Sequence, residues 1–245
     1  MLRLDQALVE RGLCESRERA KRAVLAGQVR VNSQLAHKPS DAVQPNDEIV
    51  VVAAEKFVSR GGYKLEHGLE TFKVDVTGLV AVDLGASTGG FTDCLLQRGA
   101  KKVFAVDVGQ GQLAWKLRQD RRVVTMEKTN ARYLKPEQLA EPPDLAVIDC
   151  SFISLRKILP PAIALLKTTG KIVALVKPQF EAGKAEADKG RGVIRDTTIH
   201  ERILEELRQF TTGLNLEWRG VTESPLQGPA GNKEFLVLIE KGNAS

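Results

Sequence analysis

Short apolar runs, separated by amphipathic stretches and mostly closed by a charged residue, set the strongest limit on how this chain folds. Leu79–Val82 ends at Asp83, Val103–Val106 at Asp107, Leu145–Ile148 at Asp149 and Ile172–Val176 at Lys177, while Val123–Met126 falls midway. Runs of this length, bounded on both sides, read as strands that are apolar on both faces. The intervening segments carry helical periodicity, as in Phe91–Gln97 closed by Gly99 and Ser154–Leu166 closed near Gly170. Such alternation predicts an α/β fold with a doubly wound parallel sheet, whose ligands bind beyond the C-terminal strand ends. Charged groups gathered at one edge of an apolar sheet have no packing rationale. That edge is the candidate site.

The first strand-to-helix turn reads Asp83-Leu84-Gly85-Ala86-Ser87-Thr88-Gly89-Gly90-Phe91. Its glycines let the backbone pass close to a ligand. The spacing is GxxxGG behind an acid, whereas a dinucleotide site carries GxGxxG and seats a pyrophosphate on the helix N-terminus. A carboxylate there repels pyrophosphate and suits a cationic amino-acid ligand. S-adenosylmethionine, with its ammonium, sulfonium and ribose, is such a ligand. Asp107 closes the next strand, in the region where an acid accepts bonds from ribose hydroxyls. A dehydrogenase is the weakest reading of this loop.

The N-terminal segment has a different character. Between Arg11 and Lys38 stand seven basic residues (Arg11, Arg17, Arg19, Lys21, Arg22, Arg30, Lys38) against two acids, and this local excess equals the net charge of +5 carried by all 245 residues. Leu4, Ala7 and Leu8 recur at helical spacing before Gly12; Ser16 can cap a second helix running through Ala20, Ala23 and Val24 to Gly27; short strands follow at Gln28–Val31 and Glu48–Val52, with a turn at Asn32–Ser33. A small basic module of this kind suits a polyanion, because ammonium and guanidinium groups replace condensed counterions along phosphates.

Its residues resemble the S4 RNA-binding domain: Arg3-Leu4-Asp5, Ser16-Arg17 with Ala20, Gly27-x-Val29-x-Val31-Asn32 and Asn46-Asp47-x-Ile49. The resemblance implies a basic face turned to structured RNA, with Arg3, Arg11, Ser16, Arg17, Arg19, Lys21, Arg22 and Lys38 as contacts, joined by Arg60 further on. In the remainder, Ser59-Arg60-Gly61-Gly62-Tyr63-Lys64-Leu65, Asp149-Cys150-Ser151-Phe152-Ile153-Ser154, Val176-Lys177-Pro178-Gln179-Phe180-Glu181 and Gly231-Asn232-Lys233-Glu234-Phe235 resemble the FtsJ-type ribose 2′-O-methyltransferases. That family's Lys-Asp-Lys-Glu tetrad then falls on Lys64, Asp149, Lys177 and Glu234.

With both parts in order, the chain resembles the TlyA family of rRNA cytidine 2′-O-methyltransferases. The resemblance implies a Rossmann-like methyltransferase sheet behind a small α+β S4-type domain. Residues 1–53 would form the S4-like part, 54–58 a linker and 59–245 the methyltransferase. The implied cofactor is S-adenosylmethionine, held by Asp83, Gly85, Ala86, Ser87, Thr88, Gly89, Gly90, Phe91, Asp107, Asn130, Asp149 and Phe152. The implied partner is ribosomal RNA in the cytoplasm, and no metal is expected. The shorter form of the family acts on 23S rRNA and the longer on 23S and 16S; starting almost at the S4 motif and stopping soon after the last strand, this chain is expected to favour 23S.

A ribose 2′-hydroxyl is a poor nucleophile at neutral pH, so orientation and proton removal must supply most of the help. Lysine serves as a base only if its pKa falls from ~10.4 toward neutrality. Lys177 has expected causes in partial burial, a sulfonium and a like-charged Lys64; Asp149 would orient it, and Glu234 would position Lys64 or the ribose. Which residue takes the proton stays open in the residues themselves, and the resemblance favours Lys177. Thr129-Asn130-Ala131-Arg132 is expected near the adenine, equally readable as a structural turn, and Phe152 as a contact of the donor or a core ring. Gln110–Trp115 reads either as an adenine wall or as packing. Glu181–Asp196 reads as a lid over bound RNA or as a solvated connection.

Other classes have less support. Met1–Gly12 carries Arg3, Asp5, Glu10 and Arg11, so it lacks a signal-peptide core. No apolar stretch reaches the ~18 residues of a membrane helix, which counts against the haemolysin label some family members carry. Cys14, Cys94 and Cys150 are far apart and form no zinc or disulfide pattern; His37, His67 and His200 are scattered. A noncatalytic RNA-binding assembly factor is the main alternative.

Overall fold

The computed structural model describes residues 1–52, 55–183, 186, 190 and 192–242. The chain divides into two compact units, Met1–Lys56 and Phe57–Ser245. Of the expected linker, Ala54 lies outside the described residues, while Phe57 is buried in the core of the second unit.

In the first unit, β1 (Leu2–Arg3) leads into α1 (Leu4–Glu10) and α2 (Arg17–Leu25), followed by β2 (Val29–Val31), β3 (Gln34–Leu35), β4 (Ala42–Val43) and β5 (Ile49–Val51). The helices bury Leu4, Ala7, Leu8, Ala20 and Val24 against Val29, Val43 and Ile49. Strand β2 is central, antiparallel to both β3 and β5. Asn32 and Ser33, both at positive φ, form a two-residue hairpin loop whose twist matches its strands.

The second unit is a seven-stranded sheet. Its elements are α3 (Gly61–Thr71), β6 (Val80–Leu84), α4 (Gly90–Gln97), β7 (Lys102–Val106), α5 (Trp115–Arg118), β8 (Val123–Met126), β9 (Leu145–Ile148), α6 (Leu159–Leu165), β10 (Lys171–Val176), α7 (Pro178–Glu181), α8 (Thr197–Gly213), β11 (Leu216–Glu223) and β12 (Phe235–Lys241). The strand order is β11-β12-β10-β9-β6-β7-β8. Strands β10 through β8 are parallel, and β12 runs antiparallel to both its neighbours.

Alternation along the strands splits the core in two. Val82, Leu84, Ala146, Ile148, Ala174 and Val176 face α6 and α8. Ala81, Leu145, Val147, Val173, Leu175 and Leu236 face α3 and α4. The expected helix over Ser154–Leu166 is broken: Leu155–Lys157 forms a 3-10 turn, and α6 starts only at Leu159, where Pro160 fits the first turn because no intrahelical donor is required there.

Candidate active site

Two register relations assemble the site. Strand β12 is antiparallel to β10 with Phe235 opposite Val176, so Glu234, one residue before β12, reaches the edge where Lys177 leaves β10. Helix α3 crosses β12 with Gly68 against Leu236. Lys64 lies one turn before Gly68, and Glu234 lies two residues before Leu236, on the same strand face. Lys64 Nζ therefore meets Glu234 Oε2 at 2.5 Å, although 170 residues separate them. Both are buried, Glu234 to 1% exposure. Beyond β9 and β10, Lys177 Nζ lies 2.6 Å from Asp149 Oδ1 and donates to Ser151 Oγ at 2.8 Å.

The two pairs share one cavity of about 500 Å³, bordered also by Arg60, Gly85, Ala86, Ser87, Thr88, Gly90 and Phe91. A second cavity of about 450 Å³ shares Gly85, Ser87, Asp149 and Ser151 with the first and adds Asp107, Asn130 and Phe152. Gly85, at φ +92°, is pressed against the end of β9: a Cβ there would stand 2.8 Å from the Asp149 carbonyl oxygen. Asp107 accepts from the backbone N–H groups of Ser87 and Gly109 at 2.8 and 2.7 Å. As an acceptor-only group with about four lone-pair sites, it keeps capacity for ribose hydroxyls. Asn130 accepts from Arg132 N and caps the turn Ala131–Tyr133. Phe152 is no core ring: it is 90% exposed, at φ 63°, with its ring centroid 5.1 Å from that of Phe180.

Asp83 departs from expectation. The strand does not end there but continues through Leu84, so Asp83 pairs inside the sheet with Ala105 and Val147 and faces α4. It is fully buried and borders neither cavity; Oδ2 accepts from Thr92 N at 3.0 Å and Thr92 Oγ1 at 2.7 Å, while Oδ1 has no hydrogen-bond partner among the described residues. Burial pushes its carboxyl up to about 7; the Thr92 bonds oppose the rise, and the charges of Asp149 and Asp107 add to it. Gly89, at the start of α4, faces Leu117 and Leu113 rather than the cavities. Two carboxylates that border the cavities, Asp107 and Asp149, make a site that fits a cationic donor better than a polyphosphate.

Ser151 lies between the expected site residues Asp149 and Phe152, yet no feature of the sequence marks it for a role. Glu181 is equally unmarked. Its carboxylate accepts from Ser154 Oγ at 2.6 Å and Leu155 N at 2.7 Å, tying the segment after β9 to the segment after β10. Burial raises the Glu181 carboxyl above its ordinary range, against those two bonds. Arg60 donates to the carbonyl of Gln227 and so holds the loop leading to Glu234. Of the expected lid, residues 184, 185, 187–189 and 191 lie outside the described residues. Its far end is anchored, because buried Asn232 accepts from Ile194 N and donates to Gly192 O.

Several basic residues of the first unit are committed to its own fold. Asp5 is buried between Arg3 at 3.1 Å and Arg17 at 3.3 Å. The Arg3 guanidinium holds its carboxyl below the usual range, and Arg17 adds to that while burial opposes it. Arg11 donates to the carbonyls of Gln44, Pro45 and Asp47, and Ser16 caps α2 by accepting from Arg19 N. These four have structural partners within the unit, while the side chains of Arg3 and Arg17 stay about half exposed. Among the described residues, Arg19 and Lys21 form only exposed helical pairs with Glu15 and Glu18, and Arg22 and Lys38 are exposed.

Comparison with known proteins agrees with this architecture. Residues 57–241 match the FtsJ-like methyltransferase family and residues 2–49 the S4 domain. The chain is 48% identical over 239 residues to a candidate rRNA methyltransferase, YqxC, of Bacillus subtilis, covering 97% of this chain and 85% of that one. It is 46% identical to the 16S/23S rRNA (cytidine-2′-O)-methyltransferase TlyA of Mycobacterium tuberculosis, covering 97% and 89%. A solved structure named as a candidate hemolysin of Streptococcus thermophilus superposes with TM-score 0.76 at 46% identity, over 99% of this chain and 89% of that one. Among the described residues no helix is long and apolar enough to cross a membrane. The chain thus belongs to the FtsJ-like methyltransferase family, within its TlyA group, where an S4 domain precedes the methyltransferase.

Proposed function

We propose that this protein methylates the 2′-hydroxyl of a cytidine ribose in ribosomal RNA, with S-adenosylmethionine as donor. The observation that carries the reading is the convergence of Lys64, Asp149, Lys177 and Glu234 on one cavity beside the glycine loop. The M. tuberculosis relative is named for this reaction on both 16S and 23S rRNA. The expected preference for 23S rested on the chain's termini alone, so the proposal covers both RNAs.

S-adenosylmethionine supplies a methyl group on a sulfonium that departs as a neutral thioether. Asp107 accepts its ribose hydroxyls, Asn130 and the 450 Å³ cavity take the adenine end, and Asp149, which borders both cavities, offsets its positive charges. Lys177 takes the proton of the attacking 2′-hydroxyl, and Asp149 holds its amine. Lys64, fixed by Glu234, is a donor to the substrate ribose. Arg60 borders the same cavity and contacts RNA phosphate, while Arg19, Lys21, Arg22 and Lys38 supply sequence-independent affinity.

The test is Lys177→Ala, assayed by transfer of a tritiated methyl group to rRNA. Losing a general base costs about 10²–10⁴-fold, with thermal melting and donor binding retained. Undiminished transfer would refute the role of Lys177. Absent transfer by the wild-type protein, with RNA binding intact, would leave a noncatalytic RNA-binding factor.

A further inference from the structure

We infer that Ser151 is a positioning residue that fixes the direction in which Lys177 presents its lone pair; this rests on the reading of Lys177 as proton acceptor. Around a neutral amine nitrogen there are four tetrahedral directions: one to carbon, two N–H and one lone pair. One N–H is directed to Asp149 Oδ1 at 2.6 Å and the other to Ser151 Oγ at 2.8 Å. A single direction remains, at a nitrogen that borders the cavity. With Asp149 as sole partner, rotation about Cε–Nζ would spread the lone pair over alternative directions. The second acceptor removes that freedom before substrate arrives. The 2′-hydroxyl proton then passes to the lone pair, its O–H electron pair forms the new O–C bond, and the C–S pair stays on sulfur. The positive charge moves from sulfonium to ammonium.

Ser151 is suited to this task because its position is set from two sides while its side chain has no packing role. It is exposed and borders both cavities. On one side, Cys150 Sγ donates to the carbonyl of Leu84 at the end of β6. On the other, the segment after β9 is stitched to the segment after β10 by successive ties: Ser151 to Lys177, Phe152 to Phe180, then Ser154 and Leu155 to Glu181. Hydroxyl and amine are thus held by the same pair of segments.

The experiment compares Ser151→Ala, Ser151→Thr, Lys177→Ala and the double variant Ser151→Ala/Lys177→Ala, by steady-state methyl transfer to rRNA with melting curves for each. Ser151→Ala is expected to lower kcat about 10- to 100-fold, with KM for the donor within about twofold of wild type. Ser151→Thr, which keeps the hydroxyl, restores most of kcat. The double variant is no slower than Lys177→Ala alone, because Ser151 acts through Lys177. Wild-type kcat in Ser151→Ala beside an inactive Lys177→Ala overturns the inference. So does a Ser151→Thr as slow as Ser151→Ala at equal melting temperature, or a double variant far slower than Lys177→Ala. Undiminished transfer by Lys177→Ala overturns the reading of Lys177 itself, and the role of Ser151 with it.

Discussion

Gly85→Ala tests whether the glycine loop and the tetrad form one mechanical unit. Gly85 sits at φ +92°, and an added Cβ would stand 2.8 Å from the Asp149 carbonyl oxygen, 3.0 Å from its carbonyl carbon and 3.1 Å from Cys150 N. All three are backbone atoms, so no side chain can swing aside. Ordinary contact begins near 3.4 Å, so the loop and the end of β9 must separate by about 0.6 Å. Asp149 N donates to Leu84 O at 3.0 Å, immediately before Gly85, so the displacement acts on the residue that holds Lys177. Left-handed strain costs about 1–3 kcal/mol. For a domain of this size, about 2 kcal/mol lowers Tm by roughly 4–8 °C. A misplacement of 1 Å costs about 100-fold in rate, so a shift of roughly half that size costs about tenfold or more. Gly78→Ala is the control: its φ is +72° and nothing lies within 4 Å of the added Cβ, so it carries the strain without the push. Tritium transfer and differential scanning fluorimetry on both variants separate the effects. Gly85→Ala should lose Tm and transfer; Gly78→Ala should lose Tm alone. Wild-type transfer in Gly85→Ala, or equal loss in both, would refute the coupling of loop to tetrad.

Asp83 gives a pH signature. Its folded-state pKa is raised from 3.8 to about 7 by burial, so its contribution to stability is fully present below about pH 4 and is lost as pH rises through about 7. In urea titrations the stability gap between wild type and Asp83→Asn should change by up to about 4 kcal/mol across that window, and parallel curves would contradict the buried titration. In the first unit, Arg19→Ala, Arg22→Ala and Lys38→Ala together should weaken rRNA binding while the fold is kept. The slope of log Kd against log salt should flatten by about 0.7–0.9 for every phosphate no longer neutralised. An unchanged slope would remove that face from RNA recognition.

How much of this was legible in sequence depended on whether the deciding partner was local. The strands from β6 to β10 were readable because each is built around a short apolar run, and Asp149 and Lys177 were readable because they end such runs. The same reasoning misplaced Asp83. In a strand buried on both faces, hydrophobicity does not mark where the ladder stops, and the run Leu79–Val82 stops short of the strand's true end at Leu84. The fold partners of Arg3, Arg11 and Arg17 were not legible, because the buried Asp5 and the carbonyls of Gln44, Pro45 and Asp47 become partners only on folding. Ser151 and Glu181 escaped for a related reason. Their roles are contacts between two segments that the sheet brings together, and neither residue type is unusual in a polar loop.

Lys64 and Glu234 show why motif order alone could not have built the site. In a purely parallel sheet, residues preceding a strand lie at the edge opposite those that follow one. Glu234 precedes β12, so a parallel β12 would carry it away from Lys177 by the length of seven residues, about 20 Å. The reversal of β12 removes that separation: Val176 faces Phe235, and the residue before one strand meets the residue after the other. Helix α3 then needs only its ordinary repeat, Lys64 one turn before Gly68, to complete the pair over Leu236. The tetrad is therefore a consequence of one antiparallel strand in a parallel sheet. A relative that kept all four residues but turned this strand parallel would hold Glu234 at the wrong edge, with Lys64 lacking its counter-charge.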